Sequence, residues 1–312
     1  MQTRIHTDSA PLLQDNKPNW RVLWQLTRPH TLTAGFVPVL IGTALAIQTS
    51  DINIPLFIAM LIACLLIQAA TNMFNEYYDF KRGLDNAESI GIGGAIVRDG
   101  MSPSIVLRLA LSLYGIATLI GVYICMESSW WLALIGLICM ATGYLYTGGP
   151  WPISSTPFGE IFAGLFMGFL IILLSFFIQT GNVSTVSILV AIPIGILVGL
   201  INLSNNIRDL DGDKKNGRKT LAILIGREKA VSLLGGMFTV SYMWIIGLTA
   251  MGIVSPWVLL VFLSVPKAIK ATKGFIGKTI PTQMMPAMKA TAQTNTIFGF
   301  LLSIGLFISY FI

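Results

Sequence analysis

Residues 53–85 read NIPLFIAMLIACLLIQAATNMFNEYYDFKRGLD, an apolar run that turns into an amide and carboxylate cluster, followed by two basic residues and a further acid, Asp85. The apolar part is long enough, at about 1.5 Å per helical residue, to cross a hydrocarbon layer of about 30 Å. Its last turns place Asn72, Asn75, Glu76 and Asp79 at i, i+3, i+4 and i+7, which is one helical face. A polar stripe entering a membrane helix is expensive, so it has to face a cavity or a partner.

The same grammar recurs along the chain. Hydrophobic residues make up 54% of the 312 residues and charged residues 11%, more apolar surface than a soluble chain of this size buries. Hydropathy predicts nine membrane helices, at 24–48, 53–78, 104–126, 130–147, 160–179, 185–207, 230–251, 255–271 and 291–312. The expected fold is an all-α polytopic membrane bundle with a cytoplasmic N-terminus. Residues 1–20 are expected to form a cytoplasmic tail and 21–312 a single transmembrane domain. Charge supports this layout, because Arg21 and Arg28, Lys81 to Arg108, Arg208 to Lys229, and Lys267 to Lys289 all fall on one side of a nine-helix path. The opposite connections, around Asp51, Glu127, Asn182 and Ser255, hold no Lys or Arg. The formal charge of +6 therefore reports orientation, and no nucleic-acid partner is expected. Cys64, Cys125 and Cys139 lie within apolar runs at no metal or disulfide spacing and read as packing residues.

A second stripe, Asn202, Asn205, Asn206, Asp209 and Asp213, ends the sixth predicted span as the first ends the second, an echo of a repeated four-helix unit. Both stripes end on the same side. Carboxylates without His or Cys make a hard oxygen site suited to Mg²⁺, which bridges to phosphate oxygens. Lys81, Arg82, Arg98, Arg208, Lys215, Arg218 and Lys219 supply cations for a diphosphate, although lysines at such positions also serve simply as orientation charges. The turn from Tyr144 through Tyr146 to Pro152 reads either as the wall of an aromatic pocket or as an interfacial aromatic belt. Gly91 to Gly100 reads as a lid over the cavity mouth or a plain connector, and it lacks the pattern of a nucleotide loop. His30 is either structural or a contact for the acceptor.

These motifs resemble the UbiA superfamily of intramembrane prenyltransferases. Asn75 to Asp85 and Asp209 to Asp213 carry the resemblance, with Glu76 where many relatives have Asp and the last acid of the first motif displaced to Asp85. Residues 28–32, 146–150, 205–209 and 219–222 are similar to the branch that prenylates 1,4-dihydroxy-2-naphthoate in menaquinone synthesis. The resemblance implies a Mg²⁺-dependent enzyme of a bacterial inner or plasma membrane, with its active site on the cytoplasmic side. Its substrates would be polyprenyl diphosphate and 1,4-dihydroxy-2-naphthoate, and its surroundings membrane lipid. It implies Asn75, Glu76, Asp79, Asp209 and Asp213 around the metal, with Asn75, Asp79, Asp209 and Asp213 catalytic. Asn72, Lys81, Arg82, Asp85, Arg98, Tyr146, Asn205, Asn206, Arg208, Lys219 and His30 would bind substrate. The alternatives are a 4-hydroxybenzoate or homogentisate prenyltransferase, or a secondary transporter. A transporter's polar groups would sit near the bilayer midplane.

Overall fold

Asn53 opens the helix that carries the first stripe: its side chain accepts the Leu56 N–H, with Pro55 in the first turn, and the helix runs unbroken to Lys81. The computed structural model describes residues 20–29, 31–85 and 94–312, and among them there is no strand. In chain order the helices are α1 (Trp20–Leu26), α2 (Thr33–Ala46), α3 (Ile54–Lys81), α4 (Pro103–Glu127), α5 (Trp131–Leu145), α6 (Gly159–Ala163), α7 (Leu170–Thr180), α8 (Thr185–Lys215), α9 (Leu221–Ile225), α10 (Arg227–Ala250), α11 (Val265–Phe275) and α12 (Pro281–Phe311). Helices satisfy their own backbone groups, the requirement for any chain in hydrocarbon.

Six helical segments are long and apolar enough to cross a membrane: α3, α4, Gly159–Thr180, α8, α10 and α12. The count of nine full spans is not reproduced among the described residues. α2 and α5 are apolar but shorter, and the predicted span at 255–271 begins as a 3-10 segment, Pro256–Ser264, before α11. The first predicted span is divided into α1 and α2, because Arg28 takes a positive φ of 52° and is followed by Pro29. Of the tail expected over 1–20, only Trp20 is described, and it begins α1.

Among the helices that extend beyond their predicted ends, where polar residues lower hydropathy without breaking the helix, are α3, α8 and α12. α8 starts with a reciprocal Ser184–Ser187 capping box and continues through the second stripe to Lys214 and Lys215, whose charges suit a helix C-terminus. α12 starts at Pro281, ten residues before the predicted 291, and so includes Lys289 within the helix. α3 reaches Lys81.

Between α6 and α7 the helix widens into a π segment, Gly164–Phe169. Its glycines meet α8 backbone to backbone: a Cβ at Gly168 would lie 2.7 Å from the Gly195 Cα. The largest apolar core gathers α2, α7, α8 and α10 to α12, with Phe298, Leu197 and Leu234 fully buried. A second core joins α2 to α5 through Val39, Leu56, Ile124 and Leu132. A third, around Phe74, Ile96 and Val106, seals the end of α3 where the acids lie. Only 17% of the apolar window of α4 is buried, against 56% for α8, so α4 forms an outer wall. All three cysteines are free.

Candidate active site

A cavity of about 1630 Å³ lies between the α3 and α8 sides of the bundle. At one end it is lined by Asn72, Asn75, Asp79 and Asp85 on one side and by Asn202, Asn205, Asn206, Asp209 and Asp213 on the other. Further in, the lining becomes Ile124, Leu132, Phe162, Phe166, Ile171, Leu174 and Ile178. The two stripes thus face one space, charged at one end and apolar at the other.

Arg218, five residues past Asp213, connects the stripes. Its Nη2 lies 3.1 Å from Asp79 Oδ1 and its Nη1 3.1 Å from Asp213 Oδ1, so one guanidinium holds acids from two helices. Asp213 Oδ2 and Arg218 Nε are buried with no hydrogen-bond partner. Asp209 is clasped by its own neighbour, Arg208, at 2.6 and 2.5 Å in the bidentate arrangement that guanidinium and carboxylate favour. Asn75 accepts a 2.7 Å hydrogen bond from the Thr147 hydroxyl, which leaves its amide nitrogen as a donor toward the cavity. Asp85 follows the end of α3, and burial, reinforced by the charges of Asp79 and Glu76, pushes its carboxyl up to about 6 against the opposing pull of Arg28 and Arg218.

Glu76 lies on the same stripe but is otherwise engaged. It is 2% exposed, its Oε1 accepts the backbone N–H groups of Gly94 and Ile96 at 2.7 and 3.3 Å, and its Oε2 lies 3.4 Å from Arg28 Nη2. The side chain anchors the segment after residue 93 to α3. Asn72 has a similar task, donating from its amide to Thr27 O at 2.8 Å and to Thr31 Oγ1 at 2.9 Å across the break between α1 and α2. Asn206 donates to Glu160 at 2.8 Å.

Several expected substrate contacts lie elsewhere. Lys81, Arg82, Arg98 and Lys219 are exposed and outside the cavity lining. Lys81 sits 5.9 Å from the Tyr77 ring centre. Arg82 binds the carbonyls of Thr147 and Gly149, and thereby fixes the Tyr146–Pro150 turn against α3. Through this turn Tyr146 and Thr147 reach the cavity. Lys219 contributes its backbone N–H to Ser155 O at 2.9 Å. His30 and residues 86–93, which include Gly91 and Gly93 of the expected lid, lie outside the described residues.

Sequence reasoning counted Arg218 only among nearby cations and did not single out Arg28, Lys267 or Lys289 as lining the cavity. It also passed over Glu160, an acid at the very start of an apolar run, and that is a signal readable without coordinates.

The donor set fits a divalent cation by chemical type: carboxylate and amide oxygens, with one buried carboxylate oxygen unpartnered. As the side chains stand, no three His, Cys, Asp or Glu side chains among the described residues are grouped to grip one ion. Arg218 occupies the gap between two of them.

The model of the UbiA prenyltransferase family matches residues 35–273. The chain belongs to this family. It is 66% identical over 291 residues to the 1,4-dihydroxy-2-naphthoate octaprenyltransferase of Bacillus subtilis (strain 168), covering 93% of this chain and 94% of the relative. Two structures of a UbiA homolog from Archaeoglobus fulgidus share the fold. The one bound to GPP and Mg²⁺ has a TM-score of 0.64 at 17% identity, and the one bound to DMAPP and Mg²⁺ a TM-score of 0.62 at 16% identity. Each covers 90% of this chain and 99% of the homolog. With its apolar helices and its family, this prenyltransferase is an integral membrane protein.

Proposed function

We propose that the chain transfers a polyprenyl group from polyprenyl diphosphate to 1,4-dihydroxy-2-naphthoate, releasing diphosphate and CO₂ and giving a demethylmenaquinone in its reduced, 1,4-dihydroxy form. The observation that carries this reading is the cavity itself, with Asp79 and Asp213 tied to one guanidinium at its polar end and an apolar interior behind them. The activity of the Bacillus subtilis relative, a 1,4-dihydroxy-2-naphthoate octaprenyltransferase, supplies the acceptor.

Asn75, Asp79, Asp209 and Asp213 would hold Mg²⁺, while Glu76 serves the Gly94–Ile96 segment instead. Bound there, Mg²⁺ would draw electron density from the diphosphate and so weaken the allylic C–O bond. Arg208 and Arg218 place positive charge beside the departing anion. Phe162 and Phe166, stacked with ring centres 5.8 Å apart on the cavity wall, present π faces that stabilise an allylic cation without bonding to it. The apolar interior excludes the water that would quench that cation. The ring carbon bearing the carboxylate forms the new C–C bond, and the electron pair of its C–CO₂ bond restores the aromatic ring as CO₂ leaves. The ring gives up no proton at that carbon, so this route needs no protein base there.

We take residues 21–312 as one catalytic unit in a bacterial plasma membrane with the acidic mouth toward the cytoplasm, supported by the Lys and Arg distribution. Purified protein supplied with Mg²⁺, a labelled polyprenyl diphosphate and competing aromatic acids tests the reaction. Mass analysis should find the label in prenylated naphthol with stoichiometric CO₂. Label found only in prenylated 4-hydroxybenzoate would remove the acceptor assignment, and solute counterflow in proteoliposomes without prenylation would remove the enzyme reading.

A further inference from the structure

We propose that Arg218 is a built-in competitor for the metal, and that it makes cation binding depend on the diphosphate. The proposal rests on the metal role assigned above to Asp79 and Asp213. Their Oδ1 atoms each lie 3.1 Å from a different terminal nitrogen of Arg218, so one internal cation already engages both carboxylates and offsets half of their charge. A divalent ion takes the pair only when the guanidinium moves away.

The surroundings show what the present pairing leaves unsatisfied. Arg218 Nε is buried and has no acceptor, and beside it Asp213 Oδ2 is buried and has no donor. A half-satisfied cluster of this kind is costly, and a ligand carrying both signs of charge completes it. The cation takes the carboxylate oxygens, and a polyanion takes the guanidinium donors. A divalent ion alone would leave Arg218 beside a second cation. A diphosphate alone would pull Arg218 away and leave two partly buried carboxylates facing an anion. Both ligands together exchange every partner at once.

The exchange requires only side-chain rotation. The Arg218 backbone N–H is held at 3.0 Å by Asp213 O, and the next residue is fixed through its N–H to Ser155 O. By linkage, each ligand then tightens the other by the same factor. Free Mg²⁺ is refused until a diphosphate arrives, and when the product diphosphate leaves, Arg218 returns to the acids and expels the metal.

Isothermal titration of the full chain in detergent tests this with Mg²⁺ alone, inorganic pyrophosphate alone, and both, for wild type, Arg218→Gln and Arg218→Lys. Arg218→Gln should bind Mg²⁺ alone at least about tenfold more tightly than wild type, because no internal cation has to be expelled, and its gain from pyrophosphate should shrink. Arg218→Lys keeps the charge but cannot span two carboxylates, and its affinity should lie between the two. It also serves as the test should the Gln variant fail to fold. Wild-type affinity for Mg²⁺ alone in the variants, with the gain from pyrophosphate undiminished, overturns the competitor role while leaving the metal site in place. Absence of Mg²⁺ binding in every form, with or without pyrophosphate, overturns the metal assignment and the proposal with it.

Discussion

Replacing Glu76 by Gln separates two roles that a carboxylate on this face of α3 can have. The native carboxylate takes two backbone N–H donors, from Gly94 and Ile96, and pairs with Arg28 while only 2% exposed. The amide keeps one carbonyl for those donors but presents neutral or donor atoms to Arg28, leaving a buried pair broken. A charge-assisted hydrogen bond is worth about 1.5–3 kcal/mol, and breaking a buried pair about 3–5 kcal/mol. Because Arg28 is partly exposed and its contact is 3.4 Å long, the lower part of that range applies, about 3 kcal/mol. At about 1.4 kcal/mol per factor of ten, the amides of Gly94 and Ile96 should exchange with solvent about a hundredfold faster. Hydrogen exchange read by mass spectrometry measures this, alongside the Mg²⁺ concentration that gives half-maximal prenylation. The exchange should accelerate while the Mg²⁺ requirement stays within about twofold of wild type. A tenfold rise in that requirement with exchange unchanged would refute the anchoring role and return Glu76 to the metal.

Asp79→Ala or Asp209→Ala should abolish prenyl transfer while the protein still inserts and purifies. Turnover above about a tenth of wild type at saturating Mg²⁺ would contradict their assignment. Arg82→Ala frees the carbonyls of Thr147 and Gly149, and should lower kcat/KM for the aromatic acceptor about tenfold with little change in KM for the diphosphate. Gly168→Val forces a side chain into the Gly195 backbone and should cost about 3 kcal/mol of stability or prevent folding, read as lost thermal resistance in detergent.

The fold was legible because bilayer thickness sets a length that apolar runs must meet, and six of the predicted runs meet it as helices. What hydropathy misplaced were helix ends. It reports transfer from water and is blind to a helix continuing through polar residues, so α8 and α12 were cut short where Asp213 and Lys289 sit. Hydropathy also reads through the backbone break at Arg28, which is a matter of φ and not of polarity. Helical spacing correctly placed Asn75, Asp79, Asp209 and Asp213 on cavity-facing stripes. Spacing cannot say what else lies against a face, and so Glu76 read as a ligand although the Gly94–Ile96 segment covers it. Arg82 illustrates the same gap: its charge was evident, but its partners, the carbonyls of Thr147 and Gly149, depend on how the chain returns.

The glycine contact between the π segment and α8 leaves no room for a methyl group, and it lies about two to three helical turns from where Asn202 and Asn205 enter the cavity. A spot with no slack is a datum line: the acids of α8 are positioned from main chain to main chain. Reengineering the enzyme for another aromatic ring or a longer tail would therefore succeed by editing the sparsely covered α4 and α5 or the turn beyond Tyr146. Any remodelling at Gly164, Gly168 or Gly195 would shift the chemistry itself.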